Sequence, residues 1–365
     1  MKKLKWLVTI LIVTMIWGGV TFSCKQPAGP KNDSGNKIEA ETIIVPGMEE
    51  INKVTVPGGS YIEDPFDTFT GVFIEGRTVN LSPFYIGKYE VTQEEYASVM
   101  KNQKVTVNGK EYVLDSDPSS CTKDSTKYTL FEGEEQGKRP VDSVTWYDAV
   151  WYCNALSEKE GVDPAYTIEV TSVEQRTGKT GYSIIEATVT LIEGSKGYRL
   201  PTEAEWEFAA RGGDPNADDW NYLFSGSKEE FNEKTSPEDR SRDTGLDLVA
   251  WYAFNNKSGT TQLKNESNED DGKGSHQVGL KAPNKLGLYD MSGNVDEWCY
   301  DYKGDIVIVE GGETDPIGAP TGDERIYRGG NWQRQSCDVI VTKRLSYNPG
   351  SRTSTSGFRV ARSIK

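Results

Sequence analysis

GYRLPTEAEWEFAARGG, Gly197 to Gly213, is the stretch on which the reading of this 365-residue chain turns. Thr202 with Glu205 three residues later is a capping box: the hydroxyl accepts from a backbone N–H inside the helix, and the carboxylate accepts from the N–H of the cap. It predicts a helix that begins after Thr202 and stops at Gly212. Glu203, Glu205 and Glu207 suit the positive end of that helix, so they do not by themselves signal acid/base chemistry. Outward from there, WYDAVWYCNALSEKE (146 to 160) sets Ala149, Cys153 and Leu156 on one helical face before Gly161. VTQEEYASVM predicts an earlier helix after Thr92. YTIEVTSVE and GYSIIEATVTLIEG alternate apolar and polar residues about a short RTGKT loop, the pattern of a hairpin. VTVPGGSYIED and VNLSPFYIGKYEV read as strands. The polar stretches Lys101 to Lys138 and Gly212 to Asp247 are expected to be surface insertions, and 255 to 275 an exposed loop.

These sparse elements predict an α+β domain with little regular secondary structure. Hydrophobic content is 35%, but nine Trp and eighteen Tyr can pack among many loops. Residues 1–23 have the charged start and apolar run of an export signal. Thr9, Thr14 and the Gly18-Gly19 pair leave that run short of a membrane span. Thr-Phe-Ser-Cys before and at Cys24 is similar to a bacterial lipobox, which implies lipidation of Cys24 and a tether over 24–53. The domain is then 54–365. Loss of residues 1–23 removes three lysines and no acid, moving the formal charge from −15 to −18. Such a charge disfavours nucleic acid as a partner. Of the remaining cysteines, Cys121, Cys153, Cys299 and Cys337, no pair has CxxC spacing. His276 is the only histidine, so a Cys/His zinc site is not expected.

Seven motifs in order carry a resemblance: VPGGSY (56 to 61), YIGKYEVTQEEY (85 to 96), RPVDSVTWYDAVWYCN (139 to 154), the opening stretch, NKLGLYDMSGNVDEW (284 to 298), RIYRGGNW (325 to 332) and SGFRVAR (356 to 362). Together they are similar to the formylglycine-generating-enzyme (sulfatase-modifying factor) domain family. The resemblance implies a variant of the C-type lectin fold. The family's aerobic oxidases resemble one another in two cysteines, four and nine residues past the second glycine of the RGG corner, which bind copper and oxidise a substrate cysteine. Here those positions hold Arg334 and Val339, neither of which can ligate copper. Cys337 stands alone between them, and a dithiol site cannot be built from one thiol.

The strip from Arg328 to Arg362 further resembles the variable region of retroelement-diversified lipoproteins of the Treponema variable protein A type. Such regions hold a framework and vary at adenine-rich codons; Gln333 and Gln335 fall outside the set those codons reach. Gly329, Gly330, Trp332, Val341, Arg344, Pro349, Gly357, Phe358, Arg359 and Val360 suit a framework of corners, apolar anchors and long cations. Gln333, Arg334, Gln335, Ser336, Cys337, Asp338, Ile340, Leu345, Ser346, Tyr347, Ser351, Thr353, Ser354 and Thr355 show no helical or strand period and are expected to form a ligand-binding face, with the variable region at about 331–356.

That face carries the functional expectation: a non-catalytic monomer, lipid-anchored in the cell envelope on its outer surface, taking a protein or glycan ligand. The alternatives are a copper-dependent oxidase acting on protein cysteine and a structural envelope protein. No cofactor is required; Asn294 and Glu297 offer oxygens suited to a structural calcium, which family members are similar in having. From Arg325 to Lys365 there are nine cations and one acid, Asp338. Arg328, Arg344, Arg359 and Arg362 are expected to pair with internal carboxylates such as Asp290 and Glu297. Cys153 and Cys299 are expected to be buried small hydrophobes.

Overall fold

A computed structural model describes residues 47–57, 71–125, 128, 130–228, 245–256 and 274–364. The export signal, Cys24 and the tether up to residue 46 lie outside the described residues, as does most of the 255–275 loop. Helices α1 (Gln93–Met100), α2 (Trp146–Lys159) and α3 (Glu203–Ala210) each start with a complete capping box, at Thr92 with Glu95, Thr145 with Asp148 and Thr202 with Glu205. The predicted hairpin is Tyr166–Gln175 paired with Tyr182–Leu191.

Among the described residues two four-stranded sheets carry the strip, beside a three-stranded sheet of Glu313–Thr314, Val79–Leu81 and Val54–Val56 and two separate hairpins. The first runs Met48–Ile51, Phe84–Gly87, Ala361–Ser363, Tyr198–Arg199. The second runs Leu345–Tyr347, Arg325–Arg328, Asp296–Tyr302, Ser356–Gly357, the last pair being parallel. Met48–Ile51 pairs along Phe84–Gly87, so the domain begins before the expected boundary at 54. The end of the assigned tether is an ordered strand, because Ile51 supplies an apolar residue to the core.

Two expected surface insertions are partly interior. Lys104–Val107 and Lys110–Val113 form a hairpin inside the first, and Val105, Val107, Leu114, Cys121 and Phe131 are buried. Trp220 and Phe224 in the second are fully buried, with Trp220 5.4 Å from the Phe73 ring. A few large apolar side chains outweigh a polar neighbourhood when each covers so much area.

Candidate functional site

The C-terminal strip is held from below by carboxylates of α3. Glu207 takes Arg211 Nη2 at 2.7 Å on one oxygen, and Arg328 Nη2 at 2.5 Å plus the Val72 N–H at 2.8 Å on the other. All three charged groups are buried. Burial alone would raise the Glu207 carboxyl, but Arg211 and Arg328 hold it below the ordinary range. Arg344 forks onto Glu203 with both contacts at 2.8 Å. Arg359 forks onto Glu297 at 2.6 and 2.7 Å, and Trp206 Nε1 donates to the same carboxylate at 2.8 Å. The expectation of internal pairing thus holds for Arg328, Arg344 and Arg359, with Glu203 and Glu207 as unforeseen partners. Asp290 instead accepts the Gly279 N–H, and Arg362 donates to the Lys196 carbonyl.

Above this clamp the chain turns at Gly329 (φ +89°) and Gly330 (φ +69°). A Cβ on Gly330 would lie 2.4 Å from the Asp338 carbonyl oxygen, so the corner admits only glycine. Trp332 is buried; its ring lies edge-on to Tyr128, and its Nε1 donates to the Ser354 carbonyl at 3.2 Å. Gln333 to Asp338 then return outward, ending in a short 3-10 turn over Ser336–Asp338. Gln333 and Tyr347 are exposed, and Arg334, Gln335, Ser336, Cys337, Asp338, Leu345, Ser346, Ser351, Thr353 and Ser354 are half-buried. Leu345–Tyr347 is an edge strand of the second sheet, the Trp332–Ser354 bond ties the start of the loop to the 351–354 segment, and Arg352 in that segment pairs with Glu174 of the long hairpin.

Two of the assigned face residues do not belong there. Ile340 is 1% exposed and sits in the core with Val339 and Val341, because three consecutive apolar residues supply a wedge beneath the loop. Thr355 is buried and lends its carbonyl to the Asp296 N–H at 2.8 Å. Cys337 stands beside the wedge on the 3-10 turn, while Cys153 and Cys299 are buried.

The second sheet has two unlike faces. Glu297 and Arg328, directly opposite each other, look toward α3. Asp296, Trp298, Tyr327, Leu345 and Tyr347 alternate onto the other face, with Trp298 and Tyr327 5.5 Å apart and edge-on. Asp296 is the floor of this aromatic side. Its Oδ2 accepts from Asn331 Nδ2 at 2.5 Å, and its Oδ1 is buried without a partner. Burial pushes the carboxyl up to about 7; Asn331 and Arg334 oppose this, Asp338 and Glu297 add to it. Tyr327, raised to about 12 by burial first and by Asp296 next, faces the same carboxyl.

An unfolded aspartate titrates near 3.9, so between about pH 4 and pH 7 the folded chain keeps a proton that the unfolded chain has lost. Stability from this group is therefore full below about pH 4 and declines to a lower plateau above about pH 7. Asp296→Asn is expected to stabilise by on the order of 3 kcal/mol at pH 8 and not at all at pH 4, read by urea denaturation. An equal gain at both pH values would exclude ionisation as the cause.

Asn294 and Glu297 do not fit a calcium ligand set. Both Glu297 oxygens are occupied by Arg359 and Trp206, and Asn294 Oδ1 accepts the His276 N–H at 2.9 Å while Nδ2 donates to Glu90 at 2.7 Å. A cation would have to displace a buried guanidinium whose charge already neutralises the carboxylate. Glu90, also accepting the Val295 N–H, is a buried anchor that no sequence signal marked.

With this geometry defined, similarity to known proteins can be placed on it. A family model described as the sulfatase-modifying factor enzyme 1-like domain matches residues 45–364. Chaperone protein LppX of Paenibacillus barcinonensis is 36% identical over 296 residues, covering 79% of this chain and 82% of its own. The formylglycine-generating enzyme of Thermomonospora curvata is 29% identical over 331 residues, covering 86% of this chain and 94% of its own. Among solved structures, Treponema denticola variable protein 1 matches with a TM-score of 0.59 at 30% identity, covering 87% of this chain and 94% of that one.

Proposed function

This chain belongs to the sulfatase-modifying factor enzyme 1-like domain family, and from that premise we propose that it is a non-catalytic envelope protein binding a ligand through its C-terminal loop face. Its α+β fold is the family's C-type lectin-like one. The observation that carries the proposal is the fate of the two oxidase cysteine positions: Val339 is core, and Arg334 borders the Tyr327 phenol. Neither side chain can donate a thiolate to copper. What stands in place of a dithiol is an outward loop of mixed side chains on a clamped corner, an arrangement suited to recognition.

The ligand is a protein or a glycan, and the relative named as a chaperone favours a polypeptide. The likeness to a Treponema denticola variable protein supports diversification of the loop by a retroelement. Lipidation at Cys24 would hold the monomer on the outer surface of the envelope.

The test presents the full chain to a glycan array and a panel of extracellular proteins, beside a variant with Gln333, Arg334, Gln335, Ser336 and Tyr347 all replaced by Ala. Wild-type binding should weaken at least about tenfold in the variant, with its unfolding midpoint lowered only modestly, because none of the five side chains is in the core: Gln333 and Tyr347 are exposed and the other three half-buried. Binding that survives the replacement would refute the loop face. Copper-dependent oxygen consumption on a cysteine peptide, abolished by Cys337→Ser, would refute the non-catalytic reading. In isolates, nucleotide changes should cluster at the face positions rather than spread evenly along the gene.

A further inference from the structure

The interior behind the loops contains an unpaired cation, and we propose that Arg139 and Ser275 hold a small monovalent anion there. This site is separate from the loop face and does not depend on its reading. Arg139 is 0% exposed, and none of its Nε, Nη1 and Nη2 atoms has a hydrogen-bond partner. A guanidinium carries five N–H donors and stays charged, so leaving it dry and unpaired is strongly unfavourable.

Asp142 and Glu134 lie near enough to act on the Arg139 charge, but their hydrogen bonds go elsewhere. Asp142 accepts from the Ser120 and Cys121 N–H groups at 2.7 and 3.1 Å and from the Ser143 hydroxyl at 2.8 Å. Glu134 accepts from His276 Nδ1 at 2.6 Å and from the Gln277 N–H at 2.9 Å. The Cys121 thiol is not a counter-ion, since burial first and Asp142 next raise its pKa far above neutrality. Its Sγ donates to the Ser354 carbonyl at 3.6 Å.

Gly274 lets the backbone approach the guanidinium closely: a Cβ at that position would lie 2.4 Å from Arg139 Nη2, so any other residue would press on it. The next residue, Ser275, is fully buried; its Oγ has no nitrogen or oxygen partner and lies against the Cys121 sulfur. A guanidinium fork and one hydroxyl donor, in a place shielded from water, select for charge and small size. Phe131 and Trp251 sandwich the His276 ring at 3.7 and 3.6 Å and wall the neighbourhood.

The experiment measures thermal unfolding of the full chain in sodium bromide, sodium formate and sodium gluconate at equal ionic strength. Bromide and formate should raise the midpoint by about 3 °C or more over gluconate, which is too large to enter. Arg139→Met should remove the difference, and Ser275→Ala should move the bromide titration to higher concentration. If Arg139→Met does not fold, the Ser275→Ala titration decides alone. Equal midpoints in the three salts for the wild type overturn the proposal, as does a full bromide shift in Arg139→Met or an unmoved titration in Ser275→Ala.

Discussion

Glu207→Ala is expected to cost about 5 kcal/mol or more, enough to leave the domain unfolded or nearly so at ambient temperature. The reason is that one carboxylate serves two guanidinium groups. Arg211 and Arg328 are 2% and 0% exposed, and each would keep its charge in a place that water cannot reach. The Val72 N–H would lose its acceptor as well. Glu207→Gln keeps one acceptor oxygen and the shape but not the charge, so it should fall between wild type and Ala. Urea denaturation or, where the variant does not accumulate folded, near-ultraviolet circular dichroism reads the effect. A loss below about 1 kcal/mol for Glu207→Ala would mean that the two arginines find other partners, and the clamp described for the C-terminal strip would be wrong.

Gly330→Ala should lose about 4 kcal/mol, from two independent sources. Left-handed backbone costs a residue with a Cβ about 1 to 2 kcal/mol. The new methyl would also stand 2.4 Å from the Asp338 carbonyl oxygen and 2.7 Å from Val339 Cγ1, so the 3-10 turn or the wedge beneath it must shift. Gly109 provides the control: its φ is +75° and nothing lies within 4 Å of a Cβ there, so Gly109→Ala should show the backbone cost alone. Equal losses at the two glycines would show that the corner tolerates displacement. Because the loop starts at this corner, Gly330→Ala should weaken ligand binding too, whereas Gly109→Ala should not.

Much of the scaffold was legible because its signals are local. Thr202 with Glu205 marked α3, and alternation about RTGKT marked the long hairpin. Gly329 and Gly330 announced a turn that a side chain could not make. The partners of the arginines were not legible, since Arg344 meets Glu203 across 141 positions and Arg328 meets Glu207 across 121. At the helix start, Glu203 and Glu207 had a sufficient local explanation, and nothing in their spacing revealed the guanidinium groups above them. Ile340 was misplaced for a similar reason. Three apolar residues are too few to show a period, and only tertiary packing distinguishes a wedge from a display position. Asp296 carried no signal at all; its burial comes from the sheet geometry of residues distant in sequence.

The distribution of the clamp across the chain has a consequence for anyone building libraries on this scaffold. Glu203, Glu207, Arg211, Glu297, Arg328 and Arg359 all lie outside the 331–356 segment, so that segment can be exchanged as a cassette while Glu207 keeps Arg211 and Arg328 and Glu297 keeps Arg359. Arg344 is the exception. It travels with the cassette, and its fork must meet a Glu203 that stays behind, so every viable insert carries arginine at that place, together with the buried Trp332 and the Val339–Val341 wedge, while the exposed and half-buried loop positions are free to differ.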